Sequence, residues 1–301
     1  MTTNKKNIHF IINPFSGGGK GKKILPRIEQ FLDSSIYEWD HVFTEHKSHA
    51  TVLAKAAVQK DYDIIVAVGG DGTVNEVAAG LIHTDKVMGI IPAGSGNGLA
   101  MHLGLGRKAE KAIQAINKGK DITIDTCKLN DQAFVNLAGV GFDGLVALKV
   151  AKSTTRGFIG YLKEFAQVAW SYQPLEYEFF IDEKPFKEKY LFVEVANAPM
   201  FGYNFTVAPY AKLNDGLLEV VLVKKAPKWK YFGLIPRMLQ ADLNKSDLVE
   251  RFTAKEVVFQ LPENRALHID GEGFFAQGEI RFSVTPLSLR VIVGGELSSL
   301  V

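Results

Sequence analysis

Along the first 125 residues, short apolar runs alternate with stretches whose apolar positions recur at helical spacing. Ile8–Ile12, Ile64–Val68 and Met88–Ile91 read as buried strands. A glycine-rich turn follows each one, and a helical pattern follows each turn. Ile24, Ile28, Phe31 and Leu32 share a face after the first strand, Val74–Leu81 opens a helix after the second, and a helical stretch through Met101 follows the third. Strand, glycine turn and helix in repetition predict an α/β unit, a parallel sheet with helices on its faces.

After Asp121 the pattern changes. Thr123–Leu129, Ala133–Leu137, Tyr177–Ile181, Tyr190–Ala196, Leu217–Val223, Glu256–Leu261, Ala266–Ile269, Glu279–Val284 and Leu287–Val293 read as strands, with helical signals mainly at 157–170 and 228–243. Such a series predicts a β-rich, sandwich-like or barrel-like second domain. The boundary falls near residue 130, giving domains at 1–130 and 131–301, with the extreme C-terminus free to return to the first. No internal repeat or low-complexity linker separates them.

The 301 residues, 47% apolar and 23% charged, suit two globular domains of about 150 residues each. A lone cysteine, Cys127, excludes a disulfide framework and a cysteine zinc cluster, and fits a reducing, cytoplasmic setting. With 35 basic against 33 acidic residues, the chain is no cationic nucleic-acid wrapper. The N-terminal apolar stretch is too short for a signal peptide, and no run is long enough to span a membrane. The expectation is a soluble protein, at most peripheral to a membrane and with no nucleic-acid partner.

Chemistry concentrates in the glycine turns. Gly69-Gly70-Asp71-Gly72-Thr73-Val74-Asn75 ends a buried strand, where ligands bind in open parallel sheets. Glycines allow backbone to approach phosphate oxygens, and the next helix directs its first N–H groups at the anion. Asp71 is placed to orient a metal or a ribose, and Thr73 offers a hydroxyl. Asn13-Pro14-Phe15-Ser16-Gly17-Gly18-Gly19-Lys20 resembles a phosphate cradle without the Walker A spacing, and Gly94-Ser95-Gly96-Asn97 follows the third strand. Three such loops on one sheet edge predict a nucleotide crevice. Gly139-Val140-Gly141-Phe142-Asp143-Gly144 matches GxGxxG but lies in the strand-rich half, where a turn is the better reading. Asp270-Gly271-Glu272 sets two carboxylates around a glycine, either a general base with a metal contact or an ordinary hairpin turn. Asn214-Asp215-Gly216 is equally two-sided. Neither HExxH nor GxSxG occurs.

In order, INPFSGGGK, VGGDGTVNEV, PAGSGN, NLAGVGFDG, NDGLLEV and DGE resemble the diacylglycerol kinase catalytic-domain family, which includes soluble bacterial lipid kinases and the sphingosine and ceramide kinases. The resemblance covers nearly the whole chain. It implies an α/β nucleotide domain, a β-rich lipid-binding domain, an active site in the cleft between them, and Mg²⁺-dependent transfer from ATP to a lipid hydroxyl. By that resemblance Asn13, Ser16, Gly17, Gly69 to Asn75, Gly94, Ser95 and Asn97 hold ATP, joined by Thr44 in the VFTEH stretch. Asp71, Asp270 and Glu272 are catalytic. Asp215, with the carbonyls of Lys212 and Leu217, matches a Mg²⁺ site. Family members are often dimeric, so a homodimer is implied as an option. Bacterial diacylglycerol kinases typically carry Asp where this chain has Gly98, and GSGNGLA is closer to the sphingosine kinase pattern, which leaves the lipid open. NAD kinases and phosphofructokinases share the GGDG element, but the INPxSG and GSGN elements favour a lipid kinase. Intact Asp71, Asp270 and Glu272 speak against a non-catalytic nucleotide-binding regulator.

Lys224-Lys225-Ala226-Pro227-Lys228-Trp229-Lys230-Tyr231-Phe232 interleaves lysines with aromatics. It reads as a segment meeting an anionic lipid surface, or as an amphipathic helix with its aromatics packed on the second domain and its lysines solvated.

Overall fold

The computed structural model describes residues 5–153, 155, 157–202 and 205–295. The chain divides into two compact units. Unit 1 takes the residues through Thr126 and those from Pro286 on, and unit 2 takes Cys127–Thr285.

In unit 1, β1 (Lys6–Ile12) is flanked by β2 (Tyr37–Phe43) and β3 (Ile64–Gly69), and β3 pairs with β4 (Val87–Pro92), all parallel. β3 is buried throughout and β1 from Ile8 to Ile12, the pattern of strands covered on two faces. Helices α1 (Leu25–Phe31), α2 (His49–Val58), α3 (Asp71–Leu81), α4 (Gly98–His102) and α5 (Ala109–Lys118) supply the rest of this unit. The sequence pattern missed β2. It is the outer strand of this order, and Glu38, Asp40 and His41 break its apolar run because only part of it is covered.

Two long strands bridge the units in sequence, β5 (Asp121–Leu129) and β13 (Glu272–Ile292). The end of β13 pairs parallel with β4 through Arg290 and Val291, so the returning segment adds a strand to the first sheet.

Unit 2 is antiparallel. After β6 (Gln132–Phe134), β7 (Leu137–Gly141) lies between β9 (Lys184–Ala196) and β12 (Glu256–Ile269). β8 (Leu175–Ile181) pairs with β9 and β12, β10 (Leu218–Lys224) with β9, and β11 (Val249–Ala254) with β10. Its core includes Phe134, Tyr177, Phe179, Val193, Phe259 and Phe282. Two pairs of predicted strands prove to be single long ones. β12 continues through a register shift between Leu261 and Arg265, where exposed Pro262 has no N–H for the ladder. β13 likewise joins the 279–284 and 287–293 stretches. GVGFDG is not a plain turn. It runs from β7 straight into helix α6 (Phe142–Lys152), and Gly141 makes the corner at φ 118°. A second helix, α7 (Gly157–Ser171), follows. The 228–243 helical signal is divided into α8 (Lys228–Tyr231) and α9 (Leu234–Leu239). Among the described residues no helix is long and apolar enough to cross a membrane.

Candidate active site

The strand order β2-β1-β3-β4 reverses direction between β1 and β3, and parallel sheets bind ligands outside the carboxyl ends of strands at such a switch point. Asn13 leaves β1 there, and the Gly70–Thr73 turn leaves β3 beside it. Asn13 Nδ2 donates to Thr73 Oγ1 (3.1 Å), while Asn13 Oδ1 accepts the Phe15 N–H (3.0 Å) and so shapes the glycine loop. Gly17, Gly18 and Gly19 all take positive φ, so the loop forms no regular helix. Ser16 is half-buried at its start. Thr44, buried just past β2, donates its N–H to Ile12 O (2.9 Å) and stands on the same edge.

The turns after β3 and β4 are locked together by Asp71. Its Oδ2 accepts the Asn97 N–H (2.8 Å) and its Oδ1 the Gly98 N–H (2.9 Å). Burial raises its pKa, and these N–H groups oppose the rise. Asn97 sits in the left-handed region (φ 58°) and clamps its own loop, its side chain bonding both Gly94 N–H and Gly94 O. Gly94 and Gly70 pass so closely that a Cβ on Gly94 would lie 2.5 Å from Gly70 Cα, which explains glycine on both loops. Ser95 is exposed at the loop's tip. Asp71 therefore holds two loops in register, and Gly69, Gly72, Val74 and Asn75 complete the turn and first helical residues of α3. Glu76, which the sequence did not single out, accepts the N–H groups of Ser48 (2.8 Å) and Ala50 (3.1 Å) and so caps α2.

In unit 2, Asp270 and Gly271 form the tight turn joining β12 to β13, both at positive φ (47° and 83°), as a two-residue hairpin of right-handed twist requires. The hairpin reading and the carboxylate reading are both true of it. Asp270 is buried, and its carboxylate accepts the N–H groups of Leu137 (2.9 Å), Asn136 (3.2 Å) and Val135 (3.3 Å). Glu272, two residues on, is exposed. Asp215 is exposed in the turn before β10, with its Oδ1 accepting the Leu217 N–H (3.0 Å) and Gly216 at φ 70°. Lys212 is exposed in the same loop.

The sequence reading also missed a buried polar group on β9, β12 and α6. Glu194 and His268 are fully buried, and the Asp143 carboxylate oxygens are buried as well. Burial lifts the Glu194 pKa to about 8 and that of Asp143 well above the usual carboxylate range, the latter helped by the neighbouring Glu194 charge. Glu194 alone left a sign in the sequence, as a single charge inside the apolar run of β9.

An α/β unit with glycine loops at its switch point, followed by an antiparallel unit carrying fixed carboxylates, defines a nucleotide-using kinase architecture. Residues 7–129 match the diacylglycerol kinase catalytic domain, and residues 136–293 match the YegS C-terminal NAD kinase beta sandwich-like domain. The diacylglycerol kinase of Bacillus subtilis is 31% identical over 276 residues, 89% of this chain and 90% of that protein. That of Staphylococcus carnosus is 29% identical with 89% of both covered. A diacylglycerol kinase structure from Bacillus anthracis shares the fold with a TM-score of 0.74 at 21% identity, covering 99% of this chain and 100% of that one. An NAD kinase from Archaeoglobus fulgidus in complex with ATP shares it more distantly, at 0.52 and 13%, with 98% and 95% covered. The chain belongs to the diacylglycerol kinase catalytic-domain family.

Proposed function

We propose that the protein transfers the γ-phosphoryl group of ATP to the hydroxyl of a membrane lipid. The observation that carries this reading is the Asp71 clamp. It fixes two glycine loops at the switch point beside the Asn13 loop, in a family whose relatives are named as diacylglycerol kinases. Phosphoryl transfer needs little covalent help from protein. Positioning and charge stabilisation supply most of the acceleration. Backbone N–H groups of the glycine loops and the N-terminus of α3 hold the phosphates, with Thr44, Thr73 and Ser95 adding hydroxyl contacts. Asp71 acts as a positioning residue, since both its oxygens are taken by the loop it holds.

A lipid alcohol must lose its proton as it attacks. Asp270 is ill placed to accept it, with its oxygens committed to three backbone N–H groups, so it anchors the turn. Glu272, exposed next to that anchor, is the general base. Mg²⁺ takes oxygen ligands, and the Asp215 turn fits that chemistry. It offers one exposed carboxylate, with the carbonyls of Lys212 and Leu217 as further oxygens. Mg²⁺ held there would offset phosphate charge. The lipid is met at a membrane surface through the 228–239 region, where Trp229, Phe232 and Leu239 are exposed while Tyr231 and Leu234 pack inward. Lys230 lies over the Trp229 ring (5.7 Å), and the Lys228 ammonium donates to Trp170 O. The proposed contact uses the exposed side of this segment. Tyr231 belongs to the core, and Trp229 to the outer surface.

The test is direct: purified protein, γ-labelled ATP and Mg²⁺, with diacylglycerol, a sphingoid base and phosphatidylglycerol in detergent micelles, and NAD as a rival acceptor. Label on a lipid supports the reading and names the lipid. Label on NAD replaces it with the NAD kinase reading, and no label on any acceptor removes it.

A further inference from the structure

The strands of unit 2 place two chemistry-bearing side chains on either side of a glycine. In the paired ladders His268 of β12 faces Gly139 of β7, and Gly139 faces Glu194 of β9. Residues opposite one another across a ladder share a face, so the two side chains lean towards each other over a position that has none. A Cβ on Gly139 would run into Glu194 Oε2. His268 Nε2 and Glu194 Oε2 stand 3.2 Å apart. Asp143, in the first turn of α6, completes the group: one donor atom each from Asp143, Glu194 and His268 lie within 4.8 Å of one another. Glu194 Oε1, both Asp143 oxygens and His268 Nδ1 are buried and meet no N–H or O–H donor, while the Asp143 and Glu194 carboxyls lie within hydrogen-bond reach of each other.

Such a cluster cannot stand bare. Two ionised carboxylates buried side by side are too costly unless a positive charge offsets them. A buried imidazole is favoured in its neutral form, in which a ring nitrogen offers a lone pair to a metal. One proton shared between the carboxyls would cancel one charge and engage one oxygen of each. A divalent cation cancels both charges and takes an atom from all three residues. Metal–ligand distances of about 2.0–2.2 Å put neighbouring donor atoms roughly 3–3.5 Å apart in tetrahedral to octahedral geometry, which matches the His268–Glu194 spacing. Imidazole with carboxylates suits first-row transition ions better than Mg²⁺, which prefers an all-oxygen set.

We infer that Asp143, Glu194 and His268 form a buried binding site for a first-row divalent cation such as Zn²⁺ or Mn²⁺, separate from the Asp215 turn. The ion ties β9, β12 and α6 together across the Gly139 gap. It stands whichever acceptor the enzyme phosphorylates, because its ligands lie outside the residues assigned to transfer.

The experiment uses the full chain. Metal content is measured by mass spectrometry on protein purified without chelator. Protein stripped with chelator is then titrated with Co²⁺ and Zn²⁺ in excess Mg²⁺, following the Co²⁺ visible spectrum and the thermal midpoint. About one equivalent per chain is expected, with ligand-field bands of a nitrogen–oxygen site and a midpoint raised by Zn²⁺. Glu194→Gln and His268→Gln keep the shape and should weaken binding by roughly 100-fold or more, whereas Asp215→Asn should leave it unchanged. Should either Gln variant fail to fold, the wild-type titration alone decides. Folded wild type that takes up no stoichiometric Co²⁺ or Zn²⁺ overturns the inference and leaves a proton-sharing cluster. Uptake unaffected by both Gln variants, or abolished by Asp215→Asn, overturns it as well.

Discussion

The two units treat buried charge in opposite ways. In unit 1 the acidic group at the glycine loops, Asp71, has both oxygens satisfied by N–H groups. In unit 2 the carboxylates of Asp143 and Glu194 face each other and an imidazole, with several acceptor atoms meeting no N–H or O–H donor. Asp270, two residues after His268, is by contrast satisfied by three N–H groups. A glycine-loop edge with its acid locked away is suited to an anion. A pocket of bare acceptors is suited to a cation or a proton. The difference teaches that burial alone says little about a carboxylate's role; what its oxygens accept says far more.

That contrast can be broken most forcefully at the exposed acid of unit 2. Glu272→Gln removes a proton acceptor without changing shape, so kcat for lipid phosphorylation should fall by about 10²–10⁴-fold with nucleotide affinity preserved. Asp270→Asn should instead show itself first as lost stability, because an amide cannot accept on both ends. Rapid-quench turnover together with thermal melts separates the two outcomes. A Glu272→Gln enzyme as fast as wild type would return the base to another group.

In unit 1, Asp71→Ala leaves the Asn97 and Gly98 N–H groups without their acceptor. Hydrogen bonds to a charged group are each worth about 1.5–3 kcal/mol, so losing both should show in urea melts as about 3–6 kcal/mol. Transfer should fall with it as the loops lose register. The glycines on either side do not make this a mild substitution. A variant of unchanged stability would mean the clamp is dispensable.

The third test uses pH on chelated protein. Burial lifts the Glu194 pKa from its ordinary 4.5 to about 8 and raises that of Asp143 in the same direction, while neighbouring His268 is shifted down and Asp270 lies close by. A raised carboxyl binds more protons folded than unfolded. Its stabilising contribution is therefore complete below about pH 4.5 and lost as pH rises towards 8. Thermal midpoints should drop by several degrees across that window, Glu194→Gln should flatten the drop, and Zn²⁺ should reverse it. A midpoint flat from pH 5 to about 8 in the chelated wild type would contradict this.

The smallest effect on the fold is expected at the aromatic surface. Trp229 and Phe232 are 69% and 65% exposed, so replacing both with Ala should change stability by about 0.5 kcal/mol or less. Binding to anionic liposomes in a sedimentation assay should nevertheless fall several-fold. Undiminished binding would move the membrane contact elsewhere. Lys224 is the wrong residue with which to probe that surface, since it is paired with Glu250 at 2.6 Å.

Much of this was legible in the chain. Buried parallel strands announce themselves as unbroken apolar runs, and the turns after β1, β3 and β4 carry glycines because backbone passes backbone there, as Gly70 and Gly94 show. DGE announced both its hairpin and its acids. Local sequence could not reveal β2, whose polar interruptions are permitted by partial exposure, or the helix that opens at Phe142. Nor could it show that Asp71 spends its charge on the next loop, that Asp270 is already occupied, or that Asp143, Glu194 and His268 meet. Those facts depend on partners 26 to 135 residues away in the chain. Strand register, not composition, brings Glu194 and His268 to the two sides of Gly139, and only folding decides which polar atoms are left without a partner.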